Sequence, residues 1–420
     1  MRTILTLCFC AMAPAQMPPN PRVLTREGMN AKEALKITDN IYMAIGFGNT
    51  FLVKTPEGNV IIDTSSPAPA QVHVKLLKAV SSAPVKSIIL THGHGDHTGG
   101  VPLWKEDGTQ IIAQKNHVEF VNYQARLNGF FALRNAAQFA LDRQTPAPPP
   151  WPGNYGAKIV PTILFDDHYD FTLGGVKFEL YSTPGETPDH LSVWIPQWRV
   201  AFTGDNYYDS FPNIYTLRGT EPRWALDYVN SLNKVLSWKP EIVLPSHGRP
   251  LEGNAEITQK LTRYRDAIQY VHDEVVQGMN AGKDVYTLMR EIKLPDRLNV
   301  GESYGKISWS VRGIYEGYAG WFDLDPATMY EAAPSSIDAD LMRLAGGADS
   351  VTRLANETLA MGDPVKALRL TEVVLVTHPE DRGALEARLK ALETLRDHSQ
   401  NSNERGWLDY SINEVNAKLK

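Results

Sequence analysis

The chain has 420 residues, of which 43% are hydrophobic and 21% charged, with a formal net charge of −6. This is the composition of a globular protein long enough for two domains, each with its own core. The acidic balance gives no electrostatic reason to expect nucleic acid or an anionic membrane as a partner, and beyond the N-terminus no apolar run is long enough to span a bilayer.

The first fifteen residues read as a secretory signal. Arg2 supplies a short basic region, residues 3–12 an apolar stretch, and Ala13-Pro14-Ala15 a cleavage site before Gln16. Both cysteines, Cys8 and Cys10, fall inside it. The mature chain therefore needs neither disulfide nor thiolate ligand, which suits a secreted or periplasmic protein. After an N-terminal arm over 16–37, β-rich runs occur at 41–44, 50–53 and 59–63, the last two joined by the turn Thr55-Pro56-Glu57-Gly58. A helix is predicted over 70–80 and a strand over 85–90. Between 120 and 161 the pattern breaks. An apolar helical stretch with Phe130, Phe131, Leu133 and Phe139 runs into the proline-rich 146–152, as a wall or lid over a site or as a core helix and spacer. Strands resume at 170–173, 176–180, 191–194, 199–202 and 242–244, with a helix over 224–236. Hairpins mixed with helical crossovers predict two sheets with helices packed outside.

After Gly253 strand signals largely stop. Residues 256–277 have helical periodicity, with Leu261, Tyr264, Ala267, Ile268 and Val271 on one face. Helical segments at 354–361, 364–377 and 382–395, divided at Gly362-Asp363 and His378-Pro379, stack in a tetratricopeptide-like manner.

The densest chemical signal is His92-Gly93-His94-Gly95-Asp96-His97, directly after the predicted strand over 85–90. Three imidazoles and a carboxylate cannot share one strand face. The glycines let the backbone curl so that the side chains converge, and this donor mixture suits zinc or a similar ion. Three later segments each place a candidate ligand after a strand: Glu186, with His190 in reserve, in Thr183-Pro184-Gly185-Glu186; Asp205 in Gly204-Asp205; and His247 in Ser246-His247-Gly248.

This ordered series resembles the metallo-β-lactamase fold superfamily. The resemblance implies an α+β protein: an αββα sandwich over 38–253, followed by an all-α helical dimerisation domain over 254–420. Glu186 stands where that superfamily normally has histidine, which resembles the alkyl sulfatase branch. Asn213-Ile214-Tyr215-Thr216-Leu217-Arg218-Gly219 is similar to that branch's sulfate-contacting segment. Residues 307–326, with Tyr315, Trp321-Phe322-Asp323 and Pro326, look like its dimerisation domain. Well-known members carry a further sterol-carrier-like C-terminal domain and commonly have Glu where Asp205 stands. The sequence departs from the branch in both respects.

By that resemblance His92, His94 and Glu186 hold one zinc ion, Asp96, His97 and His247 hold a second, and Asp205 bridges them. Asp96 and Asp205 are the catalytic carboxylates, and Asp63 orients a metal-bound histidine. The activity implied is hydrolysis of an alkyl sulfate to alcohol and inorganic sulfate by a hydroxide activated between two ions, in a homodimer. Two dications against Asp96, Glu186 and Asp205 leave one positive charge, which the hydroxide cancels. An anionic ester therefore needs another cation, expected to be Arg218, with Asn213 and Tyr215 adding neutral hydrogen bonds. A β-lactamase, lactonase or phosphoester hydrolase would share the metal residues, and the 213–219 segment discriminates against these. A dimeric scaffold with a vestigial site is disfavoured by the complete ligand set.

Overall fold

The structure, a computed structural model, describes residues 24–139 and 159–420. The 1–15 leader and the proline run over 146–152 lie outside these. Two sheets face each other. The first has the order β1 (Leu35–Lys36), β2 (Ile41–Ala44), β3 (Thr50–Thr55), β4 (Gly58–Ile62), β5 (Val85–Ile89), β6 (Gln110–Gln114), β7 (Ile163–Phe165). The second comprises β8 (His168–Leu173), β9 (Val176–Ser182), β10 (Leu191–Ile195), β11 (Val200–Gly204), β12 (Ile242–Pro245) and β13 (Leu251–Glu252), adjacent in sequence order. Antiparallel hairpins build most of the pairings, but β4 to β7 run parallel to one another, as do β11 and β12. Strands β6 and β7 have no counterpart among the predicted elements. Their short apolar runs carry no alternation to separate strand from buried helix.

The central strands are buried on both faces, so their period-two pattern is apolar against apolar. Phe51, Val53, Val60 and Ile62 point into the space between the sheets and meet Phe178, Leu180, Val193 and Phe202. Leu52 and Ile61 point the other way, onto a helical layer. The rings of Phe51 and Phe202 touch edge to face across the sheets with centroids 5.2 Å apart. On the outer face of the first sheet lies α1 (Pro67–Val80), followed along the chain by α2 (Gly95–Thr98) and α3 (Val101–Trp104). The first begins three residues before its predicted start, because Pro67 and Pro69 fit a first turn whose N–H groups need no partner. The predicted helical stretch after residue 120 is two helices, α4 (His117–Arg126) and α5 (Asn128–Gln138).

The second sheet is covered by α6 (Ala225–Ser237) and α7 (Asn254–Asn280), then by α8 (Val285–Glu291) and α9 (Ile307–Ala319). Every residue assigned to the apolar face of the 256–277 helix is buried, and together they form one core with Tyr228 and Leu232 of α6 and Val311 and Ile314 of α9. Hydrophobic packing is thus continuous across residue 253. After α10 (Asp338–Leu344), helices α11 (Ala348–Ala360), α12 (Pro364–Thr377), α13 (Arg382–His398) and α14 (Ser402–Leu419) pack in succession. The last of them returns to the sandwich. A Cβ on Gly406 would lie 1.8 Å from the Gln138 carbonyl oxygen of α5. Beside it, Asn401 Nδ2 donates to the carbonyls of Glu302 and Tyr304 at 2.8 and 2.9 Å.

Because that obstruction is backbone, it cannot swing aside as a long side chain would. Gly406→Val is expected to lose about 1–3 kcal/mol of stability through overpacking, measured by denaturant unfolding. An unchanged midpoint would mean that α14 does not bear on α5 in solution.

Candidate metal centre

The candidate ligands lie on loops that leave the C-terminal ends of strands at one edge of the sandwich. Strand β5 feeds directly into Leu90, Thr91 and His92, and His94 caps α2, whose first turn carries Asp96 and His97. Strand β11 ends at Gly204, with φ of 51°, where a Cβ would stand 2.3 Å from His190 Nε2. Only glycine makes that turn, and it delivers Asp205 inward. Parallel strand β12 ends beside it, so Ser246 and His247 leave the sheet at the same edge.

These side chains converge. Asp205 Oδ2 is 3.7 Å from His92 Nε2, 3.4 Å from His97 Nε2 and 3.0 Å from His247 Nε2. Asp96 Oδ2 lies 3.6 Å from His97 Nε2 and 3.4 Å from His247 Nε2. His92 Nε2 and His94 Nδ1 are 2.8 Å apart. Two donor groups result, His92 with His94 and Asp205, and Asp96 with His97 and His247, each with its ligand atoms within 4.8 Å of one another. Asp205 stands between them, as a bridging ligand must. Within the cluster, His97 Nε2 and Asp205 Oδ1 are buried without a hydrogen-bond partner. Unpartnered buried imidazole and carboxylate donors facing one another are what a pair of divalent ions would satisfy, so these residues fit the metals the sequence implies.

Asp63, at the end of β4 with φ of 53°, holds this arrangement from behind. Its carboxylate accepts from Thr91 N and Thr91 Oγ1 at 2.8 Å each, from His97 Nδ1 at 2.8 Å and from Ser246 Oγ at 2.7 Å. The bond from His97 Nδ1 leaves Nε2 directed at the cluster. The Thr91 proton goes to Asp63, so Thr91 accepts from His92 Nδ1 at 3.1 Å, which likewise turns the His92 Nε2 lone pair inward. Burial and nearby His97 keep His92 neutral, well below its ordinary pKa, and burial with Arg218 does the same for His94. Burial opposes charge at Asp205, yet His247, His97 and His92 outweigh it and hold the carboxyl well below its usual range. At His247 burial is overcome by Asp205, which raises the imidazole to about 9.

His190 is not available as a ligand. Its Nε2 accepts from Asp205 N at 3.1 Å and its Nδ1 faces Thr183 Oγ1 at 3.1 Å, so both ring nitrogens are engaged in placing Asp205. Glu186 sits at the margin of the cluster. Its Oε1 is 3.8 Å from His94 Nδ1, while Oε2 accepts from Tyr228 Oη at 2.7 Å and pairs with Arg223 Nη1 at 2.6 Å. Burial pushes its carboxyl up, against the pull of Arg223. The charge count made from the sequence therefore changes, because Glu186 carries its own counter-ion.

Arg218 is where the anion contact was expected, with Nη2 3.1 Å from His94 Nε2. Its loop is clamped by α5. Arg134 donates Nε to the Arg218 carbonyl at 2.8 Å and Nη2 to that of Leu217, and Gln138 Oε1 accepts from Arg218 N at 3.0 Å. Asn213 is buried, its backbone N–H donating to Tyr208 Oη at 2.6 Å and its Oδ1 unpartnered. Tyr215 is not brought to these two; it packs against α9, where a Cβ on Gly313 would meet its Cβ at 2.9 Å. Arg223, Tyr228, Thr91 and Ser246 have no role in the sequence reading. A lone arginine or tyrosine in a helix-flanking segment gives no signal that it will be buried on a carboxylate.

Known proteins resemble this chain over most of its length. Residues 44–247 match the metallo-beta-lactamase superfamily and residues 286–417 match alkyl sulfatase dimerisation. A linear primary-alkylsulfatase of Pseudomonas sp. (strain ATCC 19151) is 30% identical over 391 residues, covering 88% of this chain and 74% of that protein. The alkyl/aryl-sulfatase BDS1 of Saccharomyces cerevisiae is 28% identical over 409 residues, covering 90% of this chain and 63% of its own length. The chain thus spans less than two thirds of the yeast relative. The solved stereoselective inverting sec-alkylsulfatase Pisa1 from Pseudomonas sp. shares the fold, with a TM-score of 0.84 at 20% identity over 95% of this chain and 71% of that one. The chain belongs to the alkylsulfatases of the metallo-beta-lactamase superfamily.

Proposed function

We propose that this protein is a binuclear zinc hydrolase that cleaves alkyl sulfate esters to an alcohol and inorganic sulfate. The observation that carries the reading is the meeting of the two donor groups at Asp205, with the Arg218 guanidinium against the outer nitrogen of His94. His92, His94 and Asp205 would hold one ion, with Glu186 at its margin, and Asp96, His97, His247 and the shared Asp205 the other. The chemistry supplied by a bound metal pair is activation of water at neutral pH and stabilisation of charge on the departing oxygen. The protein's own part is placement. Asp63 aims His97 and, through Thr91, His92. Arg218 presents planar donors suited to sulfate oxygens, and α5 fixes the loop that carries it. The match to the dimerisation family and the exposed Trp321, Leu324 and Leu344 in the helical half support a homodimer. Export to the periplasm or medium rests on the basic, apolar and Ala-Pro-Ala pattern of residues 1–15.

Five measurements bear on this. Chelation should abolish turnover and added zinc should restore it. Because His247 holds a proton up to about pH 9 in the metal-free protein, zinc binding should release protons and its apparent affinity should weaken as pH falls through that value. Calorimetry in buffers of different ionisation enthalpy would reveal this, and heats independent of buffer would contradict the ligand assignment. Among sulfate, phosphate, lactone and β-lactam substrates, alkyl sulfate should be turned over fastest. Arg218→Ala should raise KM for it about ten- to hundredfold, the loss of a charge-assisted hydrogen bond, with metal content unaltered; an unaffected KM would remove Arg218 from the sulfate site. Protein recovered after export should begin at Gln16 by N-terminal sequencing, and an intact Met1 would defeat the leader assignment.

A further inference from the structure

Of the three imidazoles in the histidine-rich turn, two are aimed by an acceptor behind the ring, His97 by Asp63 and His92 by Thr91. His94 is held differently. Its Nδ1 faces His92 Nε2 at 2.8 Å and its Nε2 faces Arg218 Nη2 at 3.1 Å, so neither ring nitrogen is left to be fixed from behind. What the ring rests on is Phe120 of α4, edge to face with centroids 5.3 Å apart. A Cβ on the neighbouring Gly93 would lie 2.6 Å from Phe120 Cδ1 and 3.1 Å from Asp189 Oδ2, so the backbone of the turn is seated on both.

Asp189 and α4 are themselves joined. The Asp189 carboxylate is buried and lies outside both candidate ligand groups. It accepts from His117 Nδ1 at 2.9 Å and from Thr187 Oγ1 at 2.6 Å, and beside it Asn116 Nδ2 donates to the Pro188 carbonyl at 3.1 Å. His117 and Phe120, one helical turn apart, are the two buried residues of α4, so the face that carries the pair also carries the ring against His94. His117 Nε2 is buried without a partner. A phenyl ring would fill this space without stranding a nitrogen, so packing alone does not account for the imidazole; the bond to Asp189 does. Asp189 shares its turn with Glu186 and precedes His190, which places Asp205. Resting on the metal-site reading above, we infer that the His117–Asp189 pair positions the His94 side of the candidate metal centre. It clamps the start of α4 to the Glu186 turn, so that Phe120 and Asp189 together seat Gly93 and hold the His94 ring toward His92 and Asp205. Two buried carboxylates then brace the histidine-rich turn, Asp63 behind His97 and His92, and Asp189 behind His94.

His117→Phe keeps a ring and removes the donor. In a zinc titration followed by calorimetry, one of the two ions should bind about ten- to hundredfold more weakly and the other as in the wild type. In a His94→Ala background the same substitution should have no further effect. His117→Asn, whose amide can still donate to Asp189, should bind both ions as the wild type does. Wild-type affinity for both ions in His117→Phe, an equal loss of both, or a loss in His117→Asn as large as in His117→Phe overturns the inference. If His117→Phe does not fold, Phe120→Leu decides: the same ion should be weakened, and unchanged affinity for both overturns the inference. A wild type that takes up two zinc ions but hydrolyses no alkyl sulfate sinks the substrate reading only, because zinc binding still tests the pair. A wild type that takes up none sinks the metal reading and this inference with it.

Discussion

One buried carboxylate joins the parts of this site. Asp63 receives four hydrogen bonds from three other segments: Thr91 in the loop after β5, His97 in the short helix that follows, and Ser246, the residue after β12 in the opposite sheet. A carboxylate wholly removed from water is tolerated only when its lone pairs are filled. Here each donor that fills one comes from a strand end or helix that presents a candidate ligand. The backbone at Asp63 adopts a left-handed conformation that a non-glycine residue enters at a cost, and the surrounding bonds hold it there. Loss of this tie would free the orientation of His97 directly and of His92 through Thr91.

The charge of the pocket follows from what Glu186 does. A histidine at that position would add no charge, whereas a glutamate alone would make the centre less attractive to an anionic ester. The structure answers with Arg223, buried on the same carboxylate and shielded by Tyr228. Glu186 is therefore neutralised without Arg218, where the sequence-based count had Arg218 making up the whole deficit. Both cations and Asn213 belong to one loop between β11 and α6, which is braced separately from the metal-facing residues.

That bracing links the helical half of the chain to the chemistry. Helix α5 grips the Arg218 loop through Arg134 and Gln138, and α14 lies on α5 at Gly406 while its N-terminal residues hold the Tyr304 segment. Tyr304 in turn stands edge-on to Tyr208, whose hydroxyl fixes the Asn213 backbone. The region matched to dimerisation thus also buttresses the Arg218 loop, whereas the candidate metal ligands are braced by Asp63 within the two sheets.

The sequence by itself determined the sandwich class, the helical second half and which side chains are candidates to face a metal. Periodicity and motif order are local properties, and His92, His94, Asp96 and His97 lie within six positions of one another. The late candidates Asp205 and His247 were legible because each follows a strand, and strand ends on parallel neighbours lie together in any such sheet. The tertiary structure alone decided which atoms face the cluster. It engaged both nitrogens of His190 in placing Asp205, set Tyr215 against α9 instead of beside Arg218, and buried Arg223 on Glu186. Those outcomes depend on contacts between separate segments of the chain, for which no spacing in the sequence encodes a distance.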